Sequence, residues 1–233
     1  SLNLPGRQEE LLKAVCATGK PVVLVLLDGR ASSINYAAAH VPAILHAWFP
    51  GEFCGQAVAE ALFGDYNPGG RLAVTFPKSV GQIPFAFPFK PGSDESSSTS
   101  VYGVLYPFGH GLSYTTFSYG DLKISPLRQG VQGDINISCK IKNTGKIKGD
   151  EVVQLYLRDE VSSVTTYTKV LRGFERISLE AGEEQMVHFR LRPQDLGLWD
   201  KNMNFRVEPG KFKVMIGSSS TDIRLHARFE IAP

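Results

Sequence analysis

The sequence predicts an α/β segment followed by an all-β sandwich, and three observations set that order. Residues 21–27, PVVLVLL, form an unbroken apolar run rich in β-branched side chains, which suits a parallel strand covered on both faces. Segments with helical spacing lie on either side of that run. Beyond about residue 113 the apolar period becomes two and stays so to the C-terminus.

Taken in order, residues 7–17, RQEELLKAVCA, put Leu11, Leu12, Val15 and Cys16 on one helical face, with Gly19 placed for a left-handed cap. The strand at 21–27 follows and ends at Asp28-Gly29. A second apolar run at 43–48 leads through Phe49-Pro50-Gly51 into a helix at 53–63 closed by Gly64, and 71–76 is expected as the next strand. Helices alternating with buried strands imply an open sheet built from crossover units. Two helices and three strands cannot cover both faces of such a sheet. The first domain is therefore expected to be partial at its N-terminal side, with uncovered apolar surface that invites pairing with a second copy.

From 78 to 112 the pattern dissolves into proline, glycine, serine and aromatics, and the GSDESSSTS stretch at 92–100 is expected to be an exposed mobile loop. Alternation then runs through Ile135, Ile137, Cys139 and Ile141, through Val153, Leu155 and Leu157, and through Val187, Phe189 and Leu191. Phe212, Val214 and Ile216 continue it, and Ile223, Leu225, Ala227, Phe229 and Ile231 complete it. Turn signals at Asn143-Thr144-Gly145, Glu180-Ala181-Gly182 and Glu208-Pro209-Gly210 separate the runs, giving a sandwich of about seven strands. The expected boundaries are 1–78 for the α/β part, 79–112 for the linker and 113–233 for the sandwich.

Composition removes several classes of function. A net charge of +2, from 25 basic and 23 acidic residues without a like-sign block, is not the footprint of a nucleic-acid binder. The longest apolar run is too short to cross a membrane. Ser1 is not an initiator residue, so an absent leader says little. Cys16, Cys54 and Cys139 are odd in number, far apart and without the paired short spacing of a zinc site or a disulfide framework, and Cys16 and Cys139 read as small buried hydrophobes. His40, His46, His110, His188 and His226 do not fall at metal-ligand spacing. Gly51, Gly55, Gly64, Gly69 and Gly70 lack the partners of a phosphate loop, so no cofactor is expected.

Several blocks together resemble one family. They are LPGRQEELLKAV, GKPVVLVLLDGR, the stretch AILHAWFPGEFCGQAVAEALFGDYNPGGRLAVTFP, the junction LYPFGHGLSYTTF, and the sandwich blocks GDEVVQLYLRD, LRGFERISLEAGE and VEPGKFKVMIGSSS. In that order they are similar to the C-terminal half of glycoside hydrolase family 3 enzymes, over nearly the whole chain. The resemblance implies part of an α/β sandwich domain, then a fibronectin type III-like domain. It further implies a retaining β-glycosidase of β-glucosidase type acting on terminal non-reducing β-linked sugars, with β-xylosidase as the near alternative, and a periplasmic or extracellular enzyme. In the family an Asp on an N-terminal barrel attacks the anomeric carbon and a carboxylic acid protonates the leaving oxygen. Both would fall upstream of Ser1, so the partner implied is that barrel in cis, and the chain alone is expected not to hydrolyse glycosides. The α/β part would wall one side of the sugar pocket and the sandwich would buttress the catalytic domains.

No residue is accordingly assigned as catalytic or as a metal ligand, and substrate-binding residues remain unassigned. Asp94 and Glu95 read as a solvated loop pair, since nothing apolar beside them would raise a carboxyl pKa. Glu52 follows a strand's C-terminal end, where open α/β sheets place ligands, and equally suits a cap on the next helix. Trp48 and Phe49 could stack on a sugar but are expected beneath the helix at 53–63, and Tyr102, Tyr106 and Phe108 are expected to pack between the domains. His110 stands where relatives carry Tyr. Asn136-Ile137-Ser138 fits a glycosylation acceptor but lies in a strand. A rival from another class is a stand-alone carbohydrate-binding or scaffold module, which would need aromatics on one outward face; Tyr156 and Tyr167 read as isolated.

Overall fold

The computed structural model describes residues 1–83, 87–92 and 103–233. Asp94, Glu95, Tyr102 and most of the expected loop at 92–100 lie outside the described residues. The chain divides into two units: Ser1–Tyr66 with Val74–Phe87 and the 95–107 segment, and Asn67–Ala73 with the 88–94 segment and Phe108–Pro233.

In the first unit, α1 (Gln8–Cys16) leads to β1 (Val23–Leu26), α2 (Asn35–His40), β2 (Ala43–His46) and α3 (Cys54–Phe63). β1 and β2 pair in parallel, Val23 opposite Ala43 through Leu26 opposite His46. The left-handed glycines stand where the helices stop, Gly19 at φ +71° and Gly64 at φ +87°, and the Gly64 N–H donates to the Glu60 carbonyl at 3.1 Å. Leu12, Leu26, Ile34, Ala37 and Val41 form the core, with Cys16, Leu24, Ile44 and Tyr106 against it.

The predicted apolar face of α1 divides into two stripes. Leu12 and Cys16, one turn apart, enter the core, whereas Leu11 and Val15 face outward. α3 goes further and buries only Ala61, leaving Phe53 and Leu62 exposed and Phe63 85% exposed. Phe49, expected beneath this helix, is 81% exposed, because its ring lies across the Gly29 backbone instead.

α2 was not expected: NYAAAH carries small alanines rather than a wide apolar stripe. It is pinned at its start by the Ser33 hydroxyl, which donates to the Pro77 carbonyl at 3.0 Å, and by the Asn35 amide, which donates to that of Lys78 at 2.7 Å. The expected third strand at 71–76 does not join the sheet. Within the first unit, Phe76 makes an isolated bridge with Tyr106. Within the second, the Leu72 N–H donates to the His110 carbonyl at 2.8 Å and the Gly109 N–H returns to Leu72 at 2.7 Å. The backbone groups a third strand would offer to β1 or β2 are thus already used.

The second unit holds β3 (Phe117–Ser125), β4 (Arg128–Gly130), β5 (Ile135–Asn143), β6 (Gly149–Asp159), β7 (Val170–Leu179) and β8 (Glu184–Leu191). A one-turn helix α4 (Pro193–Leu196), the ribbon β9 (Leu198–Trp199) and β10 (Phe205–Arg206), then β11 (Gly210–Gly217) and β12 (Ile223–Ala232) follow. One sheet runs β4-β12-β11-β6-β7 and the other β3-β5-β8, antiparallel except where β4 meets β12. Every alternating run read from the sequence from Ile135 onward lies on one of these strands, with Ile135, Ile137, Cys139, Val153, Leu155 and Val214 fully buried between the sheets.

Asn143 shows how a buried turn residue is satisfied. Its amide donates to the carbonyls of Ile147 at 2.8 Å and Leu179 at 3.0 Å, while its oxygen accepts from the Thr115 hydroxyl at 2.7 Å and the Gly145 N–H at 3.0 Å. All four positions of the amide are filled, so its complete burial carries no unpaired polar group. Tyr156, which reads from sequence as an isolated aromatic, is fully buried, and its hydroxyl donates to Gln154.

Candidate functional site

β1 and β2 run in the same direction, so the residues just after them gather at one edge of the first unit, where open α/β sheets place ligands. Asp28 follows β1, His46 ends β2, and the Ala47 N–H extends the ladder to the Leu26 carbonyl at 2.9 Å. His46 Nε2 lies 2.7 Å from Asp28 Oδ1, and the Ser32 hydroxyl donates to Asp28 Oδ2 at 2.9 Å. The His46 ring is held edge-on by Trp48, centroids 4.2 Å apart, and by Phe76 at 5.2 Å. His46 Nδ1 is buried without a hydrogen-bond partner.

This cluster is not a hydrolytic relay. Nucleophilic catalysis needs the hydroxyl on the imidazole and the imidazole on the carboxylate. Here the hydroxyl and the imidazole both bind the carboxylate, so the arrangement fixes Asp28 and sets the rim. Trp48 adopts φ +54°, a left-handed conformation unusual for a bulky residue, and turns the chain toward Pro50-Gly51. Arg30 reaches back to the carbonyls of Asn3 at 3.0 Å and Ser1 at 3.3 Å. Glu52 is exposed, and the N-cap position of α3 is held by Phe53 without a side-chain cap, so the capping role expected of Glu52 is not observed. Among the described residues no three His, Cys, Asp or Glu side chains come together as a metal site.

Trp48 and Phe49 thus share one edge with Asp28 and His46. The Asp28–His46 contact was missed, although a histidine inside the apolar run AILHAW and an acid closing PVVLVLLD were both visible. Spacing alone could not pair two residues that meet only once the strands lie side by side.

The second unit explains the glycines of the junction. The 69–72 segment lies against 109–111, and a Cβ on Gly111 would meet the Gly70 carbonyl and come within 2.9 Å of Arg71 Cδ. Gly109, at φ +82°, would drive a Cβ into the Gln154 amide, which donates to the Gly109 and Ser218 carbonyls at 3.2 and 2.6 Å. The close approach places Arg71 Nη2 2.7 Å from Glu151 Oε1, with the side chains only 7% and 5% exposed. Burial pushes the Glu151 carboxyl up, and Arg71 opposes that shift.

His110 lies beside this pair, its basicity lowered by burial and by the Arg71 charge, with Asp222 acting the other way. A histidine depressed in the fold contributes stability that is complete above its unfolded pKa and is lost as pH falls through the folded one. Between about pH 7 and about pH 5, the urea midpoint of the wild type is expected to fall further than that of His110→Tyr; parallel profiles would show that His110 is not the group responsible.

Residues 1–114 match the family described as "Glycosyl hydrolase family 3 C-terminal domain", and residues 151–220 match "Fibronectin type III-like domain". A β-xylosidase from Formosa agariphila is 45% identical over 223 residues, covering 94% of this chain and 31% of the relative. A periplasmic β-glucosidase from Salmonella typhimurium is 40% identical over 235 residues, 96% of this chain and 31% of the relative. Among solved structures, a β-glucosidase from Erythrobacter marinus superposes with a TM-score of 0.94 at 42% identity, covering 99% of this chain and 31% of that one. The β-glucosidase of Listeria innocua, solved with glucose, gives 0.90 at 34% identity, over 100% of this chain and 34% of that one. The chain spans about a third of the length of these relatives, and the two matched domains follow one another in the order that the quoted blocks imply. The chain belongs to glycoside hydrolase family 3, as that family's C-terminal α/β sandwich domain followed by a fibronectin type III-like domain.

Proposed function

We propose that this chain is the non-catalytic C-terminal section of a retaining β-glycosidase that removes terminal non-reducing β-D-glucosyl residues from small glucosides or oligosaccharides. The observation that carries the reading is its alignment with about a third of each relative, through domains matched as C-terminal and fibronectin type III-like. Retaining hydrolysis needs two carboxylates about 5–5.5 Å apart, one as nucleophile and one as acid. In this reading both lie on residues outside this sequence. Asp28, bonded to His46 and Ser32, then acts as a structural support at the rim of the first unit.

A second reading, β-xylosidase, rests on the 45% identity to the Formosa agariphila enzyme. Leu11 and Val15 on α1, and Phe53 and Phe63 at the ends of α3, are exposed apolar side chains that an upstream catalytic domain would cover, or a second copy when that domain is missing.

One experiment addresses these readings together. The chain alone should not cleave p-nitrophenyl β-D-glucoside or β-D-xyloside, whereas a protein that includes the upstream barrel should, and its preference between the two sugars decides the substrate. The chain alone should also run above the mass of one copy on a sizing column. Comparable turnover without the barrel would overturn the assignment, and a strictly monomeric chain would overturn the self-association.

A further inference from the structure

A cavity of about 340 Å³ opens in the sandwich unit where β6 ends, lined from the connection after β6, from α4 and β9, and from β11. Its floor is hydrocarbon: Leu157, Leu196 and Phe212 are buried. Its walls carry two aromatic side chains that reach solvent, Trp199 at 58% exposure and Tyr167 at 43%. Tyr167, taken from sequence as isolated, is therefore one of a pair of rings around a single cleft.

Four charged side chains line the same space: Lys90, whose Nζ lies 5.8 Å from the centre of the Tyr167 ring, Asp195, Asp159 and Arg172. Asp159 takes one hydrogen bond, from the Val161 N–H at 3.3 Å to Oδ1, and has no ion pair among the described residues. Arg172 has no side-chain hydrogen bond or ion pair among the described residues; burial lowers its basicity, and the Asp195 charge acts the other way. Burial, reinforced by the Glu208 charge, pushes the Asp159 carboxyl up to about 6. A carboxyl in that state can accept or donate a hydrogen bond.

An apolar floor, standing rings and unsatisfied polar groups together select the ligand chemistry. A purely hydrophobic ligand would leave Asp159 and Arg172 desolvated and unpaired. Lys90 and Arg172 balance the carboxylates of Asp159 and Asp195 in this lining, so it carries no net charge to select an ion of either sign. A pyranose offers an apolar C–H face to an aromatic ring and hydroxyls to a carboxylate and a guanidinium around its rim. The volume is at the low end of the range for small-molecule pockets, about 300–1,000 Å³, which suits one or two rings.

We propose that this cleft is an auxiliary saccharide site that takes one or two pyranose rings of a neutral oligosaccharide, with Trp199 as stacking platform and Asp159 and Arg172 as hydroxyl-binding groups. It is separate from hydrolysis and does not depend on the glycosidase reading. The test titrates the chain with cellobiose and with xylobiose. In a Trp48→Phe background Trp199 is the remaining tryptophan, so its fluorescence should change saturably with at least one disaccharide. Calorimetry should show Trp199→Ala binding about tenfold more weakly, and Arg172→Met should weaken binding as well. Both side chains reach solvent, and circular dichroism verifies that the variants fold. A saturable calorimetric response that is weakened in both variants supports the site. No saturable response to either sugar, or affinity unchanged in both variants, overturns it.

Discussion

Glu151→Ala is expected to destabilise the sandwich unit by about 3–5 kcal/mol, because it strands the Arg71 guanidinium in a nearly dry site. Arg71 is almost fully enclosed, its Nε is buried without a partner, and its Nη1 already spends its contacts on the carbonyls of Gly69 and Gly70 at 3.2 and 3.1 Å. Removing the carboxylate leaves a nearly buried cation with no other ion pair among the described residues. Arg71→Ala should cost a similar amount from the other side, since Glu151 would keep the Val152 N–H, at 2.8 Å, as its hydrogen-bond partner among the described residues. Joint replacement, Arg71→Met with Glu151→Leu, should cost far less than either single alanine change, because a matched apolar pair removes both desolvation penalties. Urea unfolding followed by fluorescence measures this directly. Of the two tryptophans, Trp48 is in the first unit and Trp199 in the second, so a Trp48→Phe background isolates the sandwich transition. Additive single-site effects in the double variant would refute the coupling.

Phe212→Ala should have a comparable effect, about 3–5 kcal/mol, by a different cause. The Phe212 ring is 1% exposed and stacks on Phe229 with centroids 5.4 Å apart and planes 9° from parallel. It lies on β11 between Asp159 of β6 and Phe229 of β12, the middle of the larger sheet. Loss of the ring removes a large buried apolar area and leaves a void that rigid strands on both sides cannot close. Phe212→Leu refills much of the volume and should recover more than half of the loss. The same fluorescence measurement checks both variants, and an alanine variant within about 1 kcal/mol of wild type would mean that the sheets close over the gap.

The sandwich was legible wherever a strand is buried on one face only. Ile135 to Ile141 and Phe212 to Ile216 alternate because their other side chains meet solvent or the outer face. β7 was missed because only Ile177 and Leu179 of its ten residues are fully buried, so VLRGFERISL carries almost no period. β3 was hidden by a break in register between Gly120 and Lys123, where Asp121 takes φ +52° and interrupts the alternation. The reverse error occurred at 71–76: β-branched and apolar residues suggested a strand, but Leu72 pairs with the 109–110 backbone and Phe76 with Tyr106. Long-range pairing decided that segment, and local pattern could not report it. The same limit applied at the edge of the first unit, where Asp28 and His46 are 18 positions apart and meet only through parallel strand pairing.

The path of the chain through its two units bears on how such sandwiches can be exchanged between proteins. Residues 67–73 belong with the strands although the segments before and after them belong to the other body. A sandwich cut out from Ser113 onward would arrive without the cation that neutralises Glu151 and without the glycine strip that fits against Gln154. Recombination at that linear border would therefore transplant a wounded module, and a heritable one must carry NPGGRLA and FGHGLS with it.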